Sequence, residues 1–78
     1  MLNDRHCQKA FGQFIRDGRE SKYLHQTDVA EAVGVSQQYY STIETGKRNV
    51  DFVLALRICQ ALNLNLNLFI ETYLKENP

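Results

Sequence analysis

The side chains best suited to chemistry in this sequence are four uncharged ones close together: Gln37, Gln38, Ser41 and Thr42. A glutamine amide carries a donor and an acceptor side by side, which matches N6 and N7 of adenine. A serine or threonine hydroxyl bonds either kind of base group, and a threonine methyl can meet that of thymine. Lys47, Arg48 and Asn49 follow directly, in a loop suited to gripping phosphates. Taken alone, the uncharged face could equally be a solvated helix side; the basic loop beside it points toward nucleic acid. Gln26 adds an amide at the start of the preceding segment, where a helix N-terminus favours a phosphate oxygen. Tyr39 can hydrogen-bond a phosphate or pack against the neighbouring loop.

Other chemistries find little material. No nucleophile, paired carboxylate or phosphate-cradling glycine loop occurs at useful spacing, so an enzyme is not expected. Cys7 and Cys59 form no CxxC, and His6 and His25 supply no repeated ligand spacing. Neither a metal nor a cofactor is expected; both thiols are read as reduced, with Cys59 in the core.

The elements that must position these residues are helical. The 78 residues contain four glycines and a single proline, the last residue, and suit one domain over 1–78. From about Asp4 to Ser21, Phe11, Ile15 and Arg19 recur every four residues with Phe14 beside them, the inward stripe of a first helix. Gly12 and Gly18 each weaken it by about 1 kcal/mol relative to alanine, so packing must hold it. A short second helix carries Val29, Ala30 and Val33 on one side and stops at Gly34. Ser36, two residues on, is the N-cap of a third helix, and so short a joint forces a steep crossing. This third helix keeps Tyr40, Ile43 and Glu44 inward and the candidate base readers outward.

Asp51 is the N-cap candidate for a fourth helix, Phe52 to Leu62, apolar on nearly every side. The tail reads two ways: LNLNLNL alternates with period two, whereas Leu66, Phe69, Ile70, Tyr73 and Leu74 fit a helical stripe. A fifth helix capped by Asn65 is favoured because FIETYLKEN runs on without a turn signal; an extended strand is the alternative.

Composition limits the reading. Hydrophobic residues make up 44% and charged residues 23%, ordinary for a globular chain, with no secretory or membrane-spanning run, so a cytoplasmic protein without a membrane partner is expected. Nine basic and nine acidic residues leave no net charge, and the broad positive field of many nucleic-acid binders is missing. Affinity must come from arrangement and from doubling the contacts. The excess apolar surface of Val53, Leu54 and Leu56, with Ile70, Tyr73 and Leu74 in a C-terminal segment of about 64–76, is the candidate homodimer interface; completing the monomer core is the other use for it.

The stretch LHQTDVAEAVGVSQQYYSTIETGKRN resembles the Cro/C1-type (XRE-like) helix-turn-helix of phage repressors and bacterial regulators. The matching positions are Leu24, Gln26, Val29-Ala30, Gly34-Val35-Ser36, Ile43-Glu44, Gly46 to Asn49 and Ala61-Leu62, within a likeness running from about Phe11 to Phe69. RNVDFVLALRICQAL is similar to the controller proteins of restriction-modification systems. The resemblance implies an all-α, five-helix, lambda-repressor-like domain whose helix-turn-helix lies at helices two and three, about residues 26–46. It implies a dimeric transcriptional regulator bound to double-stranded DNA operators; two-fold symmetry calls for inverted half-sites, and promoter occlusion or recruitment of RNA polymerase, a further candidate partner, is the mechanism expected. It also implies that Gln26 and Gln37 support one another, that 37, 38, 41 and 42 face the bases, and that Arg19 pairs with Glu44. That pairing has a physical reason too, since both residues fall on inward stripes and neither could be buried alone.

Asp28 or Glu31 is a candidate polymerase contact, although a solvated helix face explains both. Departures from the family pattern are Tyr40, whose hydroxyl needs a partner or a route to solvent, His25 at the cap of helix two, Val50-Asp51 in place of the common Pro-Ser, and Asn63 in place of a frequent glycine. The other function class compatible with the sequence is an antitoxin or protein-binding adaptor with a secondary DNA-binding role.

Overall fold

The computed structural model describes residues 4–78. They form five helices: α1 (Arg5–Ser21), α2 (Gln26–Val33), α3 (Gln37–Glu44), α4 (Phe52–Ala61) and α5 (Leu66–Glu76). The tail is therefore helix, and there is no strand among the described residues.

Each start has a local cause. The side chains of Asp4, Ser36, Asp51 and Asn65 accept backbone amides in the first turns of α1, α3, α4 and α5, meeting donors that have no partner inside the helix. At α2 the arrangement is reversed. His25 supplies no side-chain cap; instead the Asp28 carboxylate reaches back to accept the His25 amide at 2.7 Å, and its charge suits the positive end of the helix.

The first four helices close in one way. After α1, α2, α3 and α4 the amides of Leu24, Val35, Lys47 and Leu64 return to the carbonyls of Arg19, Ala30, Thr42 and Cys59, with a left-handed residue just before each. Gly34, at φ 79°, takes that position in the α2–α3 joint at no steric cost. The alternating tail is explained here: Asn63 takes φ 55° at the end of α4, Leu64 packs inward after it, and Asn65 caps α5.

Phe11 and Ile15 of α1, Val29 of α2, Tyr40 and Ile43 of α3, Ile58 and Leu62 around α4 and Phe69 of α5 form one buried core. Cys7, Phe11, Ile15 and Arg19 continue the four-residue stripe one turn further toward the N-terminus than Phe11 alone suggests. Both cysteines are free and buried, and burial raises each thiol pKa, that of Cys59 to about 11. No single helix among the described residues is long and apolar enough to cross a membrane.

The two glycines that weaken α1 are contact points. A Cβ on Gly12 would lie 2.3 Å from the Glu44 carbonyl oxygen and 2.6 Å from that of Ile43, so α1 and α3 meet backbone to backbone. Helix propensity favours Gly12→Ala by about 1 kcal/mol, yet the methyl must push α3 away at a cost of about 1–3 kcal/mol for overpacking. Gly12→Ala is expected to lower the urea midpoint, and an increase would remove this contact as the spacer of α3.

Candidate nucleic-acid interface

The third helix is tied to the first by charge. Arg19 donates from Nε to Glu44 Oε2 at 2.6 Å and from Nη2 to Oε1 at 3.0 Å, a two-point pair with side-chain exposures of 11% and 2%. Arg19 Nη1 also donates to the Leu24 carbonyl at 2.8 Å, which fixes the turn between α1 and α2. Desolvation pushes the Glu44 carboxyl upward, but the hydrogen bond from Arg19, with the polar groups of Tyr40 and Gln26 beside the carboxylate, outweighs it and holds the group below the ordinary carboxylate range. The hydrogen bond to Glu44 raises Arg19 in turn.

The network continues to the surface. Gln26 Nε2 donates to Glu44 Oε1 at 3.0 Å, and Gln37 Nε2 donates to Gln26 Oε1 at 2.7 Å. An ionised carboxylate only accepts, so it must face the nitrogen of Gln26; the oxygen then points toward Gln37, which must answer with its own nitrogen. The orientation of an exposed amide on α3 is thus set by a buried charge. Gln37 retains Oε1 and a second N–H, an acceptor and a donor side by side.

The other candidate readers differ in what they have free. Gln38 is exposed, whereas Ser41 and Thr42 are half-buried. Thr42 Oγ1 already donates to the Tyr39 carbonyl at 2.6 Å, leaving its methyl and its lone pairs to meet a base. Gln26 likewise spends one N–H on Glu44, so a phosphate would draw on the remaining one.

Tyr39 packs against the loop: the Arg48 guanidinium lies 5.1 Å from its ring centroid, close enough for a cation–π contact. Lys47 and Arg48 are exposed. Asn49 accepts a hydrogen bond from the Gln8 side chain of α1, which leaves Nδ2 as its side-chain donor. Gln8 and Arg5 were not singled out from sequence. The signal was the α1 stripe, whose first turn carries polar residues that face the loop.

Tyr40 meets neither condition expected of its hydroxyl. The ring is fully buried beside the ion pair, and its oxygen lies next to the Glu44 carboxylate without completing a hydrogen bond to it. Burial, then the neighbouring carboxylate, holds its pKa well above the usual phenol range.

The candidate interface residues of α4 and α5 divide between two faces. Leu56 and Ile70 line one apolar cleft with Phe52, Leu64 and Leu66. Val53 and Leu74 are exposed at 63% and 53%, while Leu54 is half-buried against the core. Tyr73 turns to α1 instead, stacking on Phe69 and meeting His6 Nδ1 at 3.2 Å. Phe52 and Leu68, each 56% exposed, add apolar surface that the sequence reading did not name.

Comparison with known proteins gives a consistent likeness. Residues 15–69 match the Helix-turn-helix family. The chain is 41% identical over 59 residues to the ImmF control region 10 kDa protein of Bacillus phage phi105; the match covers 76% of this chain and 66% of that protein, just under two thirds of its length. Among solved structures, the restriction-modification controller protein C.AhdI of Aeromonas hydrophila superposes with a TM-score of 0.74 at 32% identity, over 80% of this chain and 94% of that one. The controller protein C.Esp1396I, solved as a tetramer on its natural 35 base-pair operator, gives a TM-score of 0.75 at 26% identity, over 90% of this chain and 92% of that one.

The sign of the Glu44 shift fixes a pH dependence. Because the folded pKa lies below the unfolded value of about 4.3, the carboxylate contributes full stability above that value, and the contribution fades as pH falls through the folded pKa. Glu44→Gln is expected to cost on the order of 3–5 kcal/mol at pH 7, the range for breaking a buried pair, and progressively less below about pH 4. Urea unfolding of both proteins across this range measures the gap; a gap that widens in acid would contradict the assignment.

Proposed function

Since this chain belongs to the Cro/C1-type helix-turn-helix family, we propose that it binds double-stranded DNA sequence-specifically, as a small homodimeric transcriptional regulator. The observation that carries the reading is the network from Arg19 through Glu44 and Gln26 to Gln37, which holds an amide at the N-terminal end of α3 ready for two hydrogen bonds. In helix-turn-helix proteins this end of the recognition helix meets base edges in the major groove. Gln37 and Gln38 read adenine by paired hydrogen bonds, and Ser41 and Thr42 contribute a hydroxyl and a methyl. Lys47, Arg48, Tyr39, Asn49 and Gln26 hold the flanking backbone, which sets position more than sequence.

Two copies are needed because one neutral monomer neutralises few phosphates. A dimer paired through the apolar cleft of Leu56 and Ile70, with the exposed Val53 and Leu74 of the same two helices, presents two α3 helices to half-sites about 34–36 Å apart. The operator-bound assembly of C.Esp1396I supports this reading. Regulation then follows from occupying a promoter.

Selection from random duplex DNA at fixed salt tests the proposal. Two inverted half-sites are expected, and Gln38→Ala should lose discrimination at one base position by roughly 1–3 kcal/mol. No enriched sequence, or a uniform loss of affinity from Gln38→Ala, would count against α3 as the reading element.

A further inference from the structure

A second cleft, this one polar and of about 460 Å³, opens between the first turn of α1 and the loop after α3, lined by Arg5, Gln8, Tyr39, Lys47, Arg48 and Asn49. Three of these six are cations and none is a carboxylate. Among the described residues, the ion pairs are Arg16–Glu20, Arg19–Glu20 and Arg19–Glu44, so Arg5, Lys47 and Arg48 have no carboxylate partner. The nearest acid in sequence, Asp4, is occupied in capping α1, where it accepts from the amides of His6 and Cys7. Gathering three cations without a carboxylate partner at one cleft costs repulsion, in a chain whose charges sum to zero overall.

Two contacts hold the cleft together. A Cβ on Gly46 would lie 2.7 Å from Lys9 Cα, so the end of α3 sits directly on the α1 backbone, and Gln8 donates to Asn49 just beyond the basic pair. Both bring Lys47 and Arg48 to the start of α1, about 40 residues away in sequence. Tyr39 belongs to the cleft and to α3, beside Gln38, so the cleft adjoins the reading face.

We infer that this cleft seats one backbone phosphate of duplex DNA, with Arg5 of α1 supplying a third cation beside Lys47 and Arg48. The inference rests on the DNA-binding reading and extends it to a helix outside the helix-turn-helix. A phosphate there is gripped from α1 and from the α3–α4 loop together, which fixes how far α3 enters the groove.

Salt titrations of duplex binding test it, comparing the unmodified protein, Arg5→Ala, Arg5→Lys and Arg16→Ala; Arg16 is an exposed arginine of α1 paired with Glu20 outside the cleft. Arg5→Ala should reduce the magnitude of the slope of log K against log salt by about 0.9, one phosphate contact. It should weaken selected and unrelated duplexes by the same factor, while Arg5→Lys and Arg16→Ala keep the slope. An unchanged slope for Arg5→Ala, in a protein that does bind the duplex, overturns the phosphate seat and leaves the DNA-binding reading standing. Failure of the unmodified protein to bind any duplex overturns both. Saturable binding of inorganic phosphate at low millimolar concentration without DNA, lost in Arg5→Ala, would overturn the duplex as the ligand.

Discussion

A carboxylate with only 2% of its side chain exposed cannot stay ionised without cations and donors around it, and Glu44 gathers them from two other helices, so that three elements meet at it. Arg19 comes from α1, Gln26 from the start of α2, and Glu44 itself from the last turn of α3. The same arginine holds the Leu24 carbonyl in the α1–α2 turn. One ion pair therefore fixes the relative placement of the three helices that build the proposed DNA-facing surface, and the backbone contact at Gly12 sets the distance at which it does so.

The chain has no net charge, so its affinity for a polyanion has to be local and multiplied. The fold concentrates cations at the loop after α3 and at the start of α1, and leaves apolar side chains exposed on α4 and α5, the surface proposed to pair two copies. On the proposed reading, discrimination falls to uncharged groups, whose hydrogen-bond polarity must be fixed in advance to be informative. The internal relay from Glu44 to Gln37 fixes one of them.

Much of this was legible in the sequence because it depends on local rules. The caps at Ser36, Asp51 and Asn65, the stop at Gly34 and the inward stripes of α1 and α3 are each set by side chains within a turn or so. The LNLNLNL stretch misleads because two helix ends abut there and happen to place asparagine at alternate positions, one in a left-handed turn and one as a cap. What stayed hidden depends on contacts distant in the chain: the bond from Gln8 to Asn49, the approach of Arg5 to Lys47 and Arg48, and the turn of Tyr73 toward His6 rather than toward Ile70. A glycine in a helix reads as a weakness until the carbonyls that occupy the place of its Cβ are known.

The central claim is that the buried pair acts on DNA through Gln26, by orienting Gln37. A double-mutant cycle between Gln26→Ala and Gln37→Ala, measured as binding to the selected operator at fixed salt, tests it most directly. Coupling of at least about 0.5 kcal/mol, the lower bound for residues in one hydrogen-bond network, is predicted, and it should vanish on an operator altered at the base pair that Gln37 reads. Additive losses on both operators would contradict the relay and leave Gln26 and Gln37 as independent contacts.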